Sequence, residues 1–248
     1  MTLEKVVMTD PKKPDYFYEE SIKTLRTNIE FTGMDVKTIV FTSCFPNEGK
    51  SDVLFQLARE FGNIGKKVLV LDADIRKSSF QTRYSVSRKV EGLSQYLSGQ
   101  TGGSRIIYAT NYNNVDIIFA GPTAPNPSEL LAQEAFAVLL RTVRDRYDYI
   151  LIDTPPAGNM SDALVAAGNC DGAVLVIESN LVSRRIAAKA KEKLEMTGCR
   201  ISEDEVGFIA LHIHSGLSNE HVSETLKTTR IIDESLKIIE EKMGQKLQ

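Results

Sequence analysis

From residue 38 onward the chain alternates short runs of apolar, mostly β-branched residues with longer stretches in which apolar positions recur every three or four residues. The runs fall at Thr38–Ser43, Lys67–Leu71, Val115–Phe119, Tyr149–Ile152, Ala173–Ile177 and Val206–Leu211. They are apolar almost throughout instead of alternating, which is the pattern of strands covered on both faces and hence of a parallel sheet. The stretches between them supply crossover helices. One has a clear start signal at Asn126-Pro127-Ser128-Glu129, with Asn as N-cap, Pro at the first helical position and Glu three residues past the cap. The pattern predicts an α/β domain over residues 34–214, built on a doubly wound, mostly parallel sheet flanked by helices.

Both ends fall outside that pattern. Residues 1–33 begin with a Pro/Lys/Asp-rich lead and read as helical from Tyr18 to Phe31, an N-terminal extension. Residues 215–248 are charged, with Val222, Leu226, Thr229, Ile232, Leu236, Ile239 and Met243 at spacings of three and four, and predict an amphipathic C-terminal helix that packs on the domain or binds a partner.

Composition narrows the function. Of 248 residues 42% are hydrophobic and 25% charged, enough apolar area for a real core. Lys and Arg number 30 against 33 Asp and Glu, a formal net charge of −3, too balanced for a protein that wraps nucleic acid or holds an anionic membrane unaided. No nucleic-acid partner is expected. The sequence has no apolar stretch of the ~18 to 20 residues a bilayer span needs and no signal-peptide core, so a cytoplasmic location is expected. Cys44, Cys170 and Cys199 are odd in number and far apart, which indicates neither a disulfide framework nor a zinc site.

The stretch Thr38 to Leu57, TIVFTSCFPNEGKSDVLFQL, runs from an apolar strand through a loop into a helix-period pattern. Such a turn aims backbone N–H groups and the positive end of a helix at a phosphate, with a lysine for the outer phosphates and a hydroxyl for Mg²⁺. Pro46, Asn47, Glu48, Gly49, Lys50, Ser51 and Asp52 form the expected nucleotide loop, although Cys44 occupies the first glycine position of the strict GxxxxGK[ST] pattern. Two further strands end in acids, VLVLDAD at Asp72 and Asp74 and YDYILIDTPP at Asp153. Extended geometry puts Asp72 and Asp74 on one side of the chain end, and carboxyl ends of parallel strands border the crevice where such sheets bind ligands. Arg76 and Lys77 follow directly, either to meet phosphate or an acidic partner or to form a solvated basic turn.

Read together, ESIKTLRTNI, SCFPNEGKS, GKKVLVLDADIRKSSF, GLSQYLSGQ, AGPTAPNPSELL, YDYILIDTPP and DALVAAGNCDGAVLVIES resemble the bacterial tyrosine kinases of the capsular-polysaccharide type, within the deviant-Walker P-loop ATPases that also include division-site and partitioning proteins. The sister ATPases carry an extra lysine early in the loop, where this chain has Ser43, Cys44, Phe45 and Pro46, which favours the kinase branch. The resemblance implies a P-loop fold, ATP and Mg²⁺, and phosphoryl transfer to tyrosines of other proteins in regulating capsular or extracellular polysaccharide. Lys50 then neutralises the transferring phosphate, Ser51, Asp74 and Asp153 hold or support the ion, and Asp72 orients or deprotonates the acceptor hydroxyl. Spacing alone does not decide which of Asp72 and Asp74 is the base. Glu20, Lys23 and Arg26 stand close to the family's ExxRxxR oligomerisation motif, with Lys for the first Arg. The resemblance also implies a transmembrane adaptor of the polysaccharide chain-length-regulator type, recruiting the kinase to the inner face of the plasma membrane.

Three departures bear on activity. Asp52 stands where the family usually has Thr, and at ~5 Å in an effective dielectric near 20 its repulsion of a bound phosphate is on the order of 3 kcal/mol, about a hundredfold in affinity. His212 and His214 stand where relatives place an Asn that reads adenine, and no Tyr follows Tyr149 where the family's tail carries a tyrosine cluster. The alternatives are therefore a catalytically weakened nucleotide-binding regulator of polysaccharide export, and a partitioning-type ATPase, which would need DNA or membrane association.

Overall fold

The computed structural model describes residues 3–11, 16–33, 35–78, 80–86, 88–158, 161–178 and 181–199. The expected strand at 206–211, His212 and His214, and the C-terminal helix over 215–248 lie outside the described residues.

Seven strands form one sheet: β1 (Glu4–Lys5), β2 (Thr38–Ser43), β3 (Val68–Asp72), β4 (Tyr108–Ala109), β5 (Val115–Ile118), β6 (Tyr149–Asp153) and β7 (Gly172–Val176). Their order is β1-β4-β5-β3-β6-β2-β7, parallel throughout except where β4 runs against β5. The eight α-helices assigned among the described residues are α1 (Tyr16–Phe31), α2 (Lys50–Asn63), α3 (Phe80–Arg83), α4 (Leu93–Leu97), α5 (Pro127–Leu131), α6 (Glu134–Arg144), α7 (Asp162–Ala167) and α8 (Arg184–Glu195).

The unbroken apolar runs have a direct explanation. Alternate residues of each strand feed two separate cores, one per face. Ile39, Phe41, Val68, Val70, Val115, Ile117 and Leu151 pack with α1 and α2, whereas Val40, Leu69, Leu71, Ile118, Ile150 and Ile152 pack with α4 to α7. A strand buried on both sides has no polar face to show.

The N-terminal segment does not stay outside the sheet, as the sequence pattern suggests. Glu4 and Lys5 pair with Tyr108 and Ala109 at the sheet's edge, and Val6 and Met8 are buried beside them. Helix α1 lies along α2 in parallel. Its first turn reaches the start of α2 through Tyr18 and Asp52, and Arg26 reaches Glu60 two turns later. The start signal at Asn126 does open a helix, with Pro127 in its first turn, but the Asn126 amide donates to the Glu129 carboxylate (2.9 Å) and makes no cap to the backbone.

Sheet order places the site. Strand β6 lies between β3 and β2, so the loop after β2 and the acids ending β3 and β6 emerge side by side at the carboxyl ends of the strands.

Candidate active site

The loop that follows β2 is held by its own side chains. Ser43 Oγ donates to the carbonyl of Phe45 (2.7 Å), and Glu48 turns its carboxylate inward to accept from the N–H groups of Phe45 (2.6 Å) and Glu178 (3.2 Å). Glu48 is therefore a brace. Expected among the nucleotide contacts, it keeps only its backbone N–H for a ligand, because its side chain is buried. Asn47 and Gly49 take positive φ (69° and 79°), which Gly adopts freely and Asn tolerates. The resulting curl leaves the N–H groups of residues 47–51 without an acceptor among the described residues, gathered at the start of α2. Free N–H groups at a helix N-terminus are an anion site. The floor is tight as well: the Ala157 N–H donates to the Ser43 carbonyl (2.8 Å), and a methyl group on Gly158 would stand 2.2 Å from the Cys44 carbonyl oxygen.

Lys50 and Ser51 open α2 and converge on Asp153. Ser51 Oγ donates to one Asp153 oxygen at 2.6 Å, Lys50 Nζ lies 3.2 Å from the other, and Lys50 Nζ is 3.1 Å from Ser51 Oγ. Asp72 is directly opposite Asp153 in the β3–β6 register and is fully buried. Burial, and then the neighbouring Asp153 carboxylate, push the Asp72 carboxyl well above the usual range. Asp153 is raised by burial too, with Lys50 and Ser51 pulling the other way. Two acids this close in a dry setting call for positive charge. Lys50 supplies part of it.

Strand β3 ends at Asp72, so Asp74 is not its extended continuation. It lies in the following turn, where its N–H donates to Asp72 (3.2 Å) and its carboxylate accepts from the N–H of Lys77 (3.0 Å), and it is more open to solvent than Asp72. Ser78 also donates to Asp72. Among the described residues no three His, Cys, Asp or Glu side chains converge tightly enough to hold a metal alone. A Mg²⁺ ion keeps several waters and takes phosphate oxygens beside one or two protein ligands, so Ser51 with flanking carboxylates fits that ion in company with a nucleotide.

Residues 36–185 match the family model of an AAA domain. Tyrosine-protein kinase CpsD of Streptococcus agalactiae is 37% identical over 182 residues, covering 73% of this chain and 80% of the relative. The chain belongs to the bacterial tyrosine kinase family. The solved kinase domain of the Escherichia coli tyrosine kinase Etk superposes with a TM-score of 0.70 at 32% identity, over 74% of this chain and 72% of that one. More distantly, the septum site-determining protein MinD of Pyrococcus horikoshii, solved with Mg-ADP, reaches a TM-score of 0.59 at 25% identity over 66% and 67% of the two chains.

Asp52, the residue of this bacterial tyrosine kinase expected to repel nucleotide, is not left facing the loop with its charge unmet. Arg83 Nη2 lies 2.7 Å from its Oδ1 and the Tyr18 hydroxyl donates to its Oδ2 at 3.2 Å. The net charge that a phosphate meets there is smaller than a bare carboxylate's, which corrects the full repulsion reckoned from sequence. Nothing local announced either partner, since both come from distant helices. Arg76 is also committed within the protein: its guanidinium makes a two-pronged pair with fully buried Asp162 (2.5 and 3.0 Å), and Ser128 donates to the same carboxylate. This clamp ties the turn after β3 to α5 and α7, joining DADIRK, PNPSELL and DALVAAG through one residue of each. Lys77 remains exposed. Of the three helix α1 residues, Glu20 and Lys23 pair with each other at 2.7 Å in solvent, whereas Arg26 turns toward Glu30 and Glu60. A cleft of about 430 Å³ lined by Lys67, Asn114, Asp116 and Tyr147 lies at the amino ends of β3, β5 and β6, away from this chemistry.

Proposed function

We propose that the protein transfers the γ-phosphoryl group of ATP to tyrosine hydroxyls of other proteins, and that this activity regulates synthesis or export of capsular or extracellular polysaccharide. The observation that carries the reading is the convergence, at the carboxyl ends of β2, β3 and β6, of loop N–H groups without an acceptor among the described residues, Lys50, Ser51 and carboxylates from two adjoining strands. Phosphoryl transfer asks chiefly for positioning and for cancellation of charge, which this group of residues is built to provide.

In this reading the N–H groups of Asn47 to Ser51 cradle the phosphates, Pro46 shapes the loop, and Asp52 borders the site with its charge met by Arg83. Lys50 leaves Asp153 for the outer phosphate, a short move for a long flexible side chain. Ser51, Asp74 and Asp153 would hold or support Mg²⁺, which when bound offsets the charge on the outer phosphates. Asp72 is the base that orients the acceptor hydroxyl and takes its proton. Its raised proton affinity suits that work. Because Arg83 meets Asp52, the principal reason to read the chain as a weakened regulator loses force.

Among the described residues no helix is long and apolar enough to cross a membrane. The family resemblance is what leads us to place the kinase in the cytoplasm, at the inner face of the plasma membrane through a transmembrane adaptor of the chain-length-regulator type, and as a homo-oligomer using Glu20, Lys23 and Arg26 of α1. The test is phosphotyrosine formation on a random Glu/Tyr copolymer with Mg²⁺ and ATP. Signal that disappears in Lys50→Met is the expected result, and signal that persists in it defeats the proposal.

A further inference from the structure

Every tyrosine of the chain falls among the described residues, and one differs from the other seven in its surroundings. Tyr84 is fully buried, and Tyr18, Tyr108 and Tyr147 are nearly so. The hydroxyls of Tyr18, Tyr96, Tyr112 and Tyr147 donate within the protein, and that of Tyr108 accepts from the Glu91 N–H (2.9 Å). The Tyr149 ring lies stacked on Phe61 with 4.0 Å between centroids. Tyr16, by contrast, is 69% exposed, its ring meets only the edge of Phe17, and no hydrogen bond among the described residues engages its hydroxyl.

Position adds to exposure. Tyr16 is the first residue of α1, and α1 runs parallel to α2 with Tyr18 at Asp52 in the first turn of α2. The start of α1 is thus at the same end of the molecule as the phosphate loop. Two residues apart on a helix is a rotation of about 200°, so with Tyr18 turned in toward Asp52, Tyr16 is turned away from its own loop. Its ring is open to approach among the described residues.

We infer that Tyr16 is a phosphorylation site, modified by the active site of another copy of this chain. The inference rests on the kinase reading above. The Tyr16 phenolic oxygen forms a bond to the γ-phosphorus of ATP while the bond from that phosphorus to the β–γ bridging oxygen breaks. ADP leaves with the bond's electron pair, and the phenolic proton passes to the carboxylate base. Each of the other seven tyrosines holds its ring or its hydroxyl in the fold.

The test uses a tagged full-length Lys50→Met chain as acceptor and the untagged wild type as enzyme, with Mg²⁺ and ATP, the Glu/Tyr copolymer in a parallel reaction, and phosphosites mapped by mass spectrometry. Phosphate on Tyr16 of the acceptor, lost in a Lys50→Met, Tyr16→Phe acceptor, is the expected outcome. A Tyr16→Phe enzyme should phosphorylate the copolymer as the wild type does. Phosphate that persists undiminished on the double variant overturns the assignment, as does an unmodified acceptor beside a phosphorylated copolymer, and both leave the kinase reading intact. If neither acceptor nor copolymer is modified, the kinase reading fails and takes this inference with it.

Discussion

In the proposed reading, single side chains decide whether nucleotide is tolerated at this loop. Asp52 is buried in the first turn of α2 and has its charge met by Arg83. Arg83→Ala should leave an unmet negative charge beside the phosphates and weaken Mg·ATP binding ~10- to 100-fold, with recovery in Arg83→Ala, Asp52→Thr, as read by titration calorimetry. Asp72 makes the opposite trade. It is buried next to Asp153 and its charged form is disfavoured, so Asp72→Asn should raise the melting temperature of the ligand-free protein, a gain on the order of 1 kcal/mol, while abolishing copolymer phosphorylation. That Lys50 and Ser51 would meet Asp153, with Asp72 beside it, was legible in the sequence because the first two open the helix after the β2 loop and the two acids end strands, where topology leaves little freedom. Their partners were not. The brace formed by Glu48 and the Arg83–Asp52–Tyr18 cluster depend on which distant helices pack together, and spacing along the chain does not carry that information.

Elements are tied to one another by a few buried charges. Arg76 holds Asp162 and, through Ser128, joins the turn after β3 to α5 and α7. Removing the cation strands a buried carboxylate, so Arg76→Ala should cost ~3 kcal/mol in urea unfolding, whereas exposed Lys77→Ala should be nearly neutral. Asp171 plays a similar part at the amino end of β2, where one oxygen accepts from the N–H groups of Lys37 and Thr38 and from Arg144 at 2.6 Å. Burial alone would raise its carboxyl, but the Arg144 bond and the two N–H groups outweigh this and hold it below the ordinary 3.8. A depressed acid stabilises the fold above the unfolded value and loses that contribution as pH falls through the folded one. Asp171→Asn should therefore lower the melting temperature at pH 7, and its deficit should shrink as pH drops below about 4. The five strands predicted within the described residues were readable to within a residue or so because each is a long apolar run. β1 and β4 were not, since two residues each are too few to show a period.

For the whole molecule, strand order matters more than any one motif. The chain places β6 between β3 and β2, and only that arrangement brings acids separated by some eighty residues against the loop of α2. The two apolar faces announced the layered sheet in the sequence, whereas the strand order was not read from it. The N-terminal segment's place in the sheet and the run of α1 along α2 did not follow, because a lead rich in Pro and Lys gives no sign of edge pairing. The most direct test of the account is calorimetric titration of ADP into the wild-type chain and Lys50→Ala, with and without Mg²⁺. Binding that tightens with Mg²⁺ and is lost in Lys50→Ala is the predicted result. Absence of binding in the wild type, or equal binding in the variant, would contradict it.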